Sequence, residues 1–172
     1  MILIHTALLC EAQAFIEEYK LSKINSKIYK NNDLIVLISG IGKENTIFSL
    51  DYIFLNYNID KAFNIGIAGI NNTDIDIGNL FCTNHKLTNI EQLELITVDK
   101  VQTDSNKHAN TLLYDMEAKY FELISLNYLN KDSIFIFKTV SDYLNSDILK
   151  KDYIKSLIKK NIGDIKEYIG DR

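Results

Sequence analysis

The sequence predicts an α/β fold in three layers, with a mostly parallel or mixed sheet covered by helices on both faces, and three observations carry that expectation. Short apolar runs rich in Ile, Val and Phe recur along the chain, as strands buried on both faces require. Between several of them lie longer segments with apolar residues at steps of three and four. No linker, internal repeat or low-complexity block interrupts the pattern, so residues 1–172 read as one domain, large enough for a core of its own.

The strand candidates are Met1 to Ile4, Leu34 to Ile38, Ala62 to Ile67, Leu93 to Val98 and Ile134 to Val140. After a turn at Gly40 and Gly42, a helix carries Ile47, Leu50, Phe54 and Tyr57 as its apolar stripe. The segment from Asp115 places Met116, Tyr120, Leu123 and Ile124 on one helical face. The C-terminal segment carries Ile154, Ile158, Ile162, Ile165 and Ile169 at the same spacing. Two polar stretches, Asn71 to Gly78 and Asp99 to Thr111, read as loops. Loops on rigid scaffolds carry function, so both are expected to rim a pocket.

Composition narrows the function. The chain is 47% hydrophobic and 24% charged with a formal net charge of −4, which speaks against disorder and against a nucleic-acid partner. It contains neither an eighteen-residue apolar run nor a leader pattern, so a soluble cytoplasmic protein with no membrane partner is expected. Cys10 and Cys82 sit in apolar runs and read as buried thiols. His5 reads as a structural histidine of the first strand, while His85 and His108 lack partners at ligand spacing. No metal or cofactor is called for. The only arginine is Arg172, which leaves no internal guanidinium fork for a phosphate.

Two glycine motifs follow strands. SGIGKEN, Ser39 to Asn45, lacks the Lys-Ser/Thr step of a phosphate loop and the third glycine of a dinucleotide fingerprint, so it reads as a tight turn rather than an anion site. NIGIAGI, Asn64 to Ile70, ends a central strand with small residues that let a ligand approach the backbone, which favours pocket lining.

Glu11, Glu117 and Asp142 each stand where an apolar run gives way to a helix or loop, in MILIHTALLCEAQAF, LLYDMEAKYF and FIFKTVSDYLN. Singly, each has an ordinary explanation: a first-turn acid on a helix dipole, a solvated helix flank, and an N-cap or turn former before the last helix. Together they stand at strand ends, where open α/β sheets bind ligands. Three carboxylates meeting there suit acid/base work on a glycosidic bond.

Five segments in order, ALLCEA, SGIGKEN, NIGIAGI, YDMEAKYF and TVSDYLN, resemble the nucleoside phosphorylase and nucleosidase superfamily. The resemblance is strongest to its methylthioadenosine/S-adenosylhomocysteine nucleosidase branch. It implies a three-layer αβα sandwich around a twisted mixed β-sheet, assembled as a homodimer or larger homo-oligomer. It also implies an N-ribosyl hydrolase that cleaves a purine nucleoside or thionucleoside without cofactor or metal. By position, Glu11 matches the residue that activates the attacking water, Glu117 the one that grips the ribose hydroxyls, and Asp142 the purine-facing acid. Met116 falls beside the ribose and Ser141 beside that Asp, while Ala68 and Gly69 match the small residues of the pocket wall.

The chain departs from the family pattern in two respects. It is a shortened member, with the loss falling between Asn79 and Leu95, and it offers Val101 where the nucleosidase branch stacks an aromatic on the purine. Phosphorolysis needs cationic donors around a phosphate dianion, for which Lys43, His5 and the helix start at Gly42 are the candidates, so water is the expected nucleophile. A phosphorolytic enzyme and a non-catalytic nucleoside-binding member stand as the alternatives.

Overall fold

Four strands buried on both faces form the middle of the sheet in a computed structural model that describes residues 1–100, 102, 109–145 and 148–170. They are β1 (Ile2–Thr6), β4 (Leu34–Ile38), β5 (Lys61–Ile70) and β10 (Ile134–Asp142), and they run parallel in the order β4-β1-β5-β10. Side chains alternate across each strand, so one sequence run supplies two cores. Ile2, Ile4, Leu34, Val36, Phe63, Ile65, Phe135 and Phe137 face one layer, whereas Leu3, Ile35, Leu37, Ala62, Ile134 and Ile136 face the other.

Each core is closed by a pair of helices. α1 (Leu9–Glu18) and α4 (Lys151–Ile169) cover the first through Ala12, Phe15, Ile158, Ile165 and Ile169. α2 (Lys43–Asn56) and α3 (Ala118–Ser125) cover the second through Leu50, Ile53, Ala118 and Phe121. The result is the expected three-layer arrangement.

Short strands extend the sheet at both edges. On one side β3 (Ile28–Lys30) pairs antiparallel with β4, and β2 (Ser22–Lys23) antiparallel with β3. On the other, β6 (Leu80–Cys82) pairs antiparallel with β10 and carries β7 (Glu91–Gln92) beside it. The sheet is therefore mixed. β5 outruns β1, and its last residues Gly69 and Ile70 pair antiparallel with β9 (Leu113–Asp115), which is flanked in parallel by β8 (Leu95–Thr97).

The expected strands all form, but two helical faces are turned from their expected phase. In α2 the buried residues are Thr46, Leu50 and Ile53, with Ile47 and Phe54 on the flank. In α3 they are Ala118, Phe121 and Ser125, and Leu123 is 54% exposed. The cause is local: Leu113–Asp115 is strand, so the helix begins at Ala118 and Met116 is left outside it. The α4 stripe holds, with Ile162 only partly buried. Both cysteines are buried and free. Among the described residues, no helix is long and apolar enough to cross a membrane.

Candidate active site

Beyond the C-terminal ends of β1, β5 and β10 the chain opens a cleft of about 200 Å³. Glu11, Ala68, Gly69, Met116, Glu117, Ser141 and Asp142 all line it, so seven of the eight residues singled out in the sequence converge on one hollow. The eighth, Val101, lies outside the described residues, as do His108 and Arg172. Of the two loops expected to rim the pocket, Asp99 to Thr111 contributes Gln102. Asn71 to Gly78 contributes nothing described to the lining, because Ile75 and Ile77 pack instead against Ala68, Ile70 and Phe81.

Glu11 is the third residue of α1, and its carboxylate turns back over the helix start. Oε2 accepts hydrogen bonds from the backbone N–H groups of Ala7 (3.0 Å) and Leu8 (2.8 Å), and Oε1 accepts one from Ile67 (3.1 Å). Leu8 at the N-cap has no acceptor side chain, so the glutamate does the capping that a Ser or Asp usually does. Gly66 makes room for it, since a Cβ there would stand 2.8 Å from Glu11 Oε1. Burial pushes the Glu11 carboxyl up, while Lys138 and the three amide donors pull against that rise.

Glu117 precedes the first turn of α3, where the chain leaves β9, and is buried rather than solvated. Its Oε1 accepts from Gly42 N at 2.7 Å. Gly42 has φ +90°, a conformation open to glycine, so the SGIGKEN turn serves to aim one amide at this carboxylate. Burial raises Glu117 to about 6, with Lys138 opposing and Asp115 adding to the rise.

Asp142 ends β10 and lies far from the start of the last helix, so it is no N-cap. Its Oδ2 accepts from Ser141 Oγ at 2.6 Å and its Oδ1 from Leu144 N at 2.9 Å. The β10 register shifts between Val140 and Asp142. This irregularity lets Ser141 and Asp142, neighbours in sequence, both line the cleft where a regular strand would turn one away. Gly69 opposes them, and a Cβ there would lie 3.1 Å from Asp142 Oδ1 and 2.6 Å from Leu144 Cδ2.

The sequence reading missed an ion pair beneath the cleft. Lys138, in the middle of β10, is only 2% exposed in its side chain, and its Nζ lies 2.8 Å from Asp115 Oδ2. Asp115 is also held by Thr97 Oγ1 (2.6 Å) and Ala118 N (2.8 Å). Burial disfavours the ammonium, but Asp115, Glu117 and Glu11 together hold it above the ordinary lysine value, so it stays charged. A lone lysine in the run FIFKTV was the available signal, because a charge inside a buried strand requires a partner.

The three candidate phosphate donors are otherwise engaged. His5 is fully buried, bonded to Ser39 Oγ (2.9 Å) and Asn64 Nδ2 (2.7 Å), and pushed down to about 3 by burial and by Lys138, which keeps it neutral. Lys43 Nζ sits over the Tyr120 ring at 5.6 Å. Gly42 N is taken by Glu117. Among the described residues lining the cleft, none is Lys, Arg or His. Nor do the described residues bring together three His, Cys, Asp or Glu placed to hold a metal.

No family model matches the chain, and no curated protein matches it. Solved structures do. The chain superposes on 5′-methylthioadenosine/S-adenosylhomocysteine nucleosidase from Helicobacter pylori with a TM-score of 0.81, over 98% of this chain and 97% of that one, at 12% identity. Futalosine hydrolase of the same organism gives 0.79, with 98% and 96% covered at 12% identity. A Chlamydia trachomatis nucleosidase variant bound to MTA gives 0.78, with 97% of each chain covered at 16% identity. The chain has the nucleoside phosphorylase and nucleosidase fold. A nucleosidase fold at this identity fixes architecture, and the chemistry rests on the residues of the cleft.

Proposed function

We propose that the protein is a nucleosidase: it cleaves the N-glycosidic bond of a purine nucleoside or thionucleoside with water. The observation that carries this reading is the convergence of Glu11, Glu117 and Asp142, from three distant parts of the chain, on one small cleft. The solved structures of the same fold support it, since they include nucleosidases and a futalosine hydrolase.

Breaking this bond leaves positive charge on the ribose and negative charge on the departing base, so catalysis needs anions at the sugar and a proton at the heterocycle. Asp142 meets the base and passes a proton to its N7, held in place by Ser141 and Leu144 N. Glu117 holds the ribose hydroxyls and stabilises the cationic ring. Glu11 takes the proton from the attacking water on the opposite face. Each acid/base contribution of this kind supplies about two to four powers of ten in rate. Met116 lies beside the ribose, and Ala68 and Gly69 wall the pocket.

Water rather than phosphate is the nucleophile in this reading. The described lining of the cleft carries four carboxylates, Glu11, Asp115, Glu117 and Asp142, which repel a phosphate dianion, and Lys138 is spent on those carboxylates. The protein acts as a single domain in the cytoplasm, as a homodimer or larger homo-oligomer, on a small-molecule nucleoside and not on nucleic acid. Incubation with a panel of purine nucleosides and thionucleosides, with and without phosphate, tests the reading. Free base and free ribose at equal rates in both conditions support it. A phosphate requirement with release of ribose 1-phosphate replaces it by the phosphorolytic alternative, and tight binding without base release replaces it by the non-catalytic one.

A further inference from the structure

We propose that Asp115 is a positioning residue that fixes the Lys138 ammonium beneath the cleft, where it sets how protons are shared between Glu11 and Glu117. The inference rests on the nucleosidase reading for its kinetic consequences and on geometry for its substance. Both oxygens of Asp115 are committed within the fold, Oδ1 to Thr97 Oγ1 and Oδ2 to Ala118 N and Lys138 Nζ, and its side chain is 1% exposed. It therefore acts through Lys138.

The charged groups that act most strongly on that ammonium, Asp115, Glu117 and Glu11, all line the cleft. Lys138 projects from β10 among Glu11 of α1, Asp115 of β9 and Glu117 ahead of α3, with the neutral His5 of β1 also close. Lys138 Nζ and Glu11 Oε1 crowd the same open side of Gly66, at 3.5 Å and 2.8 Å from where a Cβ would stand. An ammonium free to swing would pair fully with one glutamate and abandon the other. Tied to Asp115, it serves both. The chemistry benefits from this division, because Glu11 must be free to accept a proton while Glu117 holds neutral hydroxyls beside it.

The test is a pair of titrations on Asp115→Asn and Lys138→Met, with Asp115→Glu as the charge-restoring control. Glu11 and Glu117 are followed by NMR of the ¹³C-labelled carboxyl groups, alongside kcat and KM across pH. Asp115→Asn removes the negative neighbour that raises Glu117 and frees the ammonium to pair with one glutamate at the expense of the other, so the two midpoints should move apart and the acid limb of activity should shift with them. Lys138→Met should move them to higher pH. Asp115→Asn should lower kcat about tenfold or more with KM changed less than about threefold, and Asp115→Glu should restore the wild-type midpoints.

If Asp115 were merely structural, Asp115→Asn would lower the melting temperature and leave both midpoints and the acid limb in place, which overturns the proposal. Should Asp115→Asn fail to fold, Lys138→Met alone decides, since unchanged glutamate midpoints in it are equally fatal. If the wild-type protein releases no base from any nucleoside, the nucleosidase reading falls, while the NMR titrations still decide the role of Asp115.

Discussion

Glu117 keeps its proton up to about pH 6 because burial outweighs the pull of Lys138, and that has a consequence for stability. The folded state binds this proton more tightly than the unfolded chain does, so unfolding is linked to proton release. The contribution is undiminished below about pH 4.5, declines as the pH rises through about 6, and stays low above it, a loss of about 2 kcal/mol. Glu117→Gln keeps the acceptor for Gly42 N but cannot ionise. It should match the wild type in urea unfolding at pH 4 and exceed it by up to about 2 kcal/mol at pH 7.5. Equal stability at both pH values would contradict the assignment. Two further substitutions probe function: Asp142→Asn should lower kcat by a factor of about 10²–10⁴ without altering the circular dichroism spectrum. Gly66→Ala should displace the Glu11 carboxylate and lower kcat at least tenfold, measured as base release. At this scale the three acids were legible because each breaks an apolar run. Lys138 was signalled only as a charge inside a buried strand, with nothing to name its partner, because Asp115 was read as the opening of a helix.

The elements divide into those that build the cleft and those that support it from behind. α4 contributes no described residue to the cleft lining, yet Ile158, Ile165 and Ile169 fill one core, and Asn161 Nδ2 ties the helix to Gly78 O (3.0 Å) and Thr139 Oγ1 (3.1 Å). Ile158→Ala should therefore cost about 2–5 kcal/mol in chemical denaturation while leaving base release per folded molecule unchanged. A fall in kcat at constant fold would mean that α4 reaches the site by a route the packing does not display. The five expected strands and the α4 stripe were readable from period and length alone. The α2 and α3 faces were not, because their phase depends on where each helix begins, and starts at Gly42 and Glu117 without a side-chain cap give no sequence signature of the usual kind. The irregularity in β10 was equally hidden, although it is what turns Ser141 and Asp142 to the same side.

For the whole molecule, parallel strands with helices on both faces leave their C-terminal ends free, and β1, through the α1 start that follows it, β5 and β10 bring Glu11, a small-residue wall and Asp142 to the same place. The fold follows from the apolar pattern. The proposed chemistry rests on a cleft whose described lining carries carboxylates and no Lys, Arg or His. A crystal structure of the protein with a non-hydrolysable purine nucleoside analogue tests this most directly. The base should lie against Asp142, the ribose hydroxyls on Glu117, and a water between Glu11 and the anomeric carbon. An analogue bound elsewhere, or one turned so that its base meets Glu11, would contradict it.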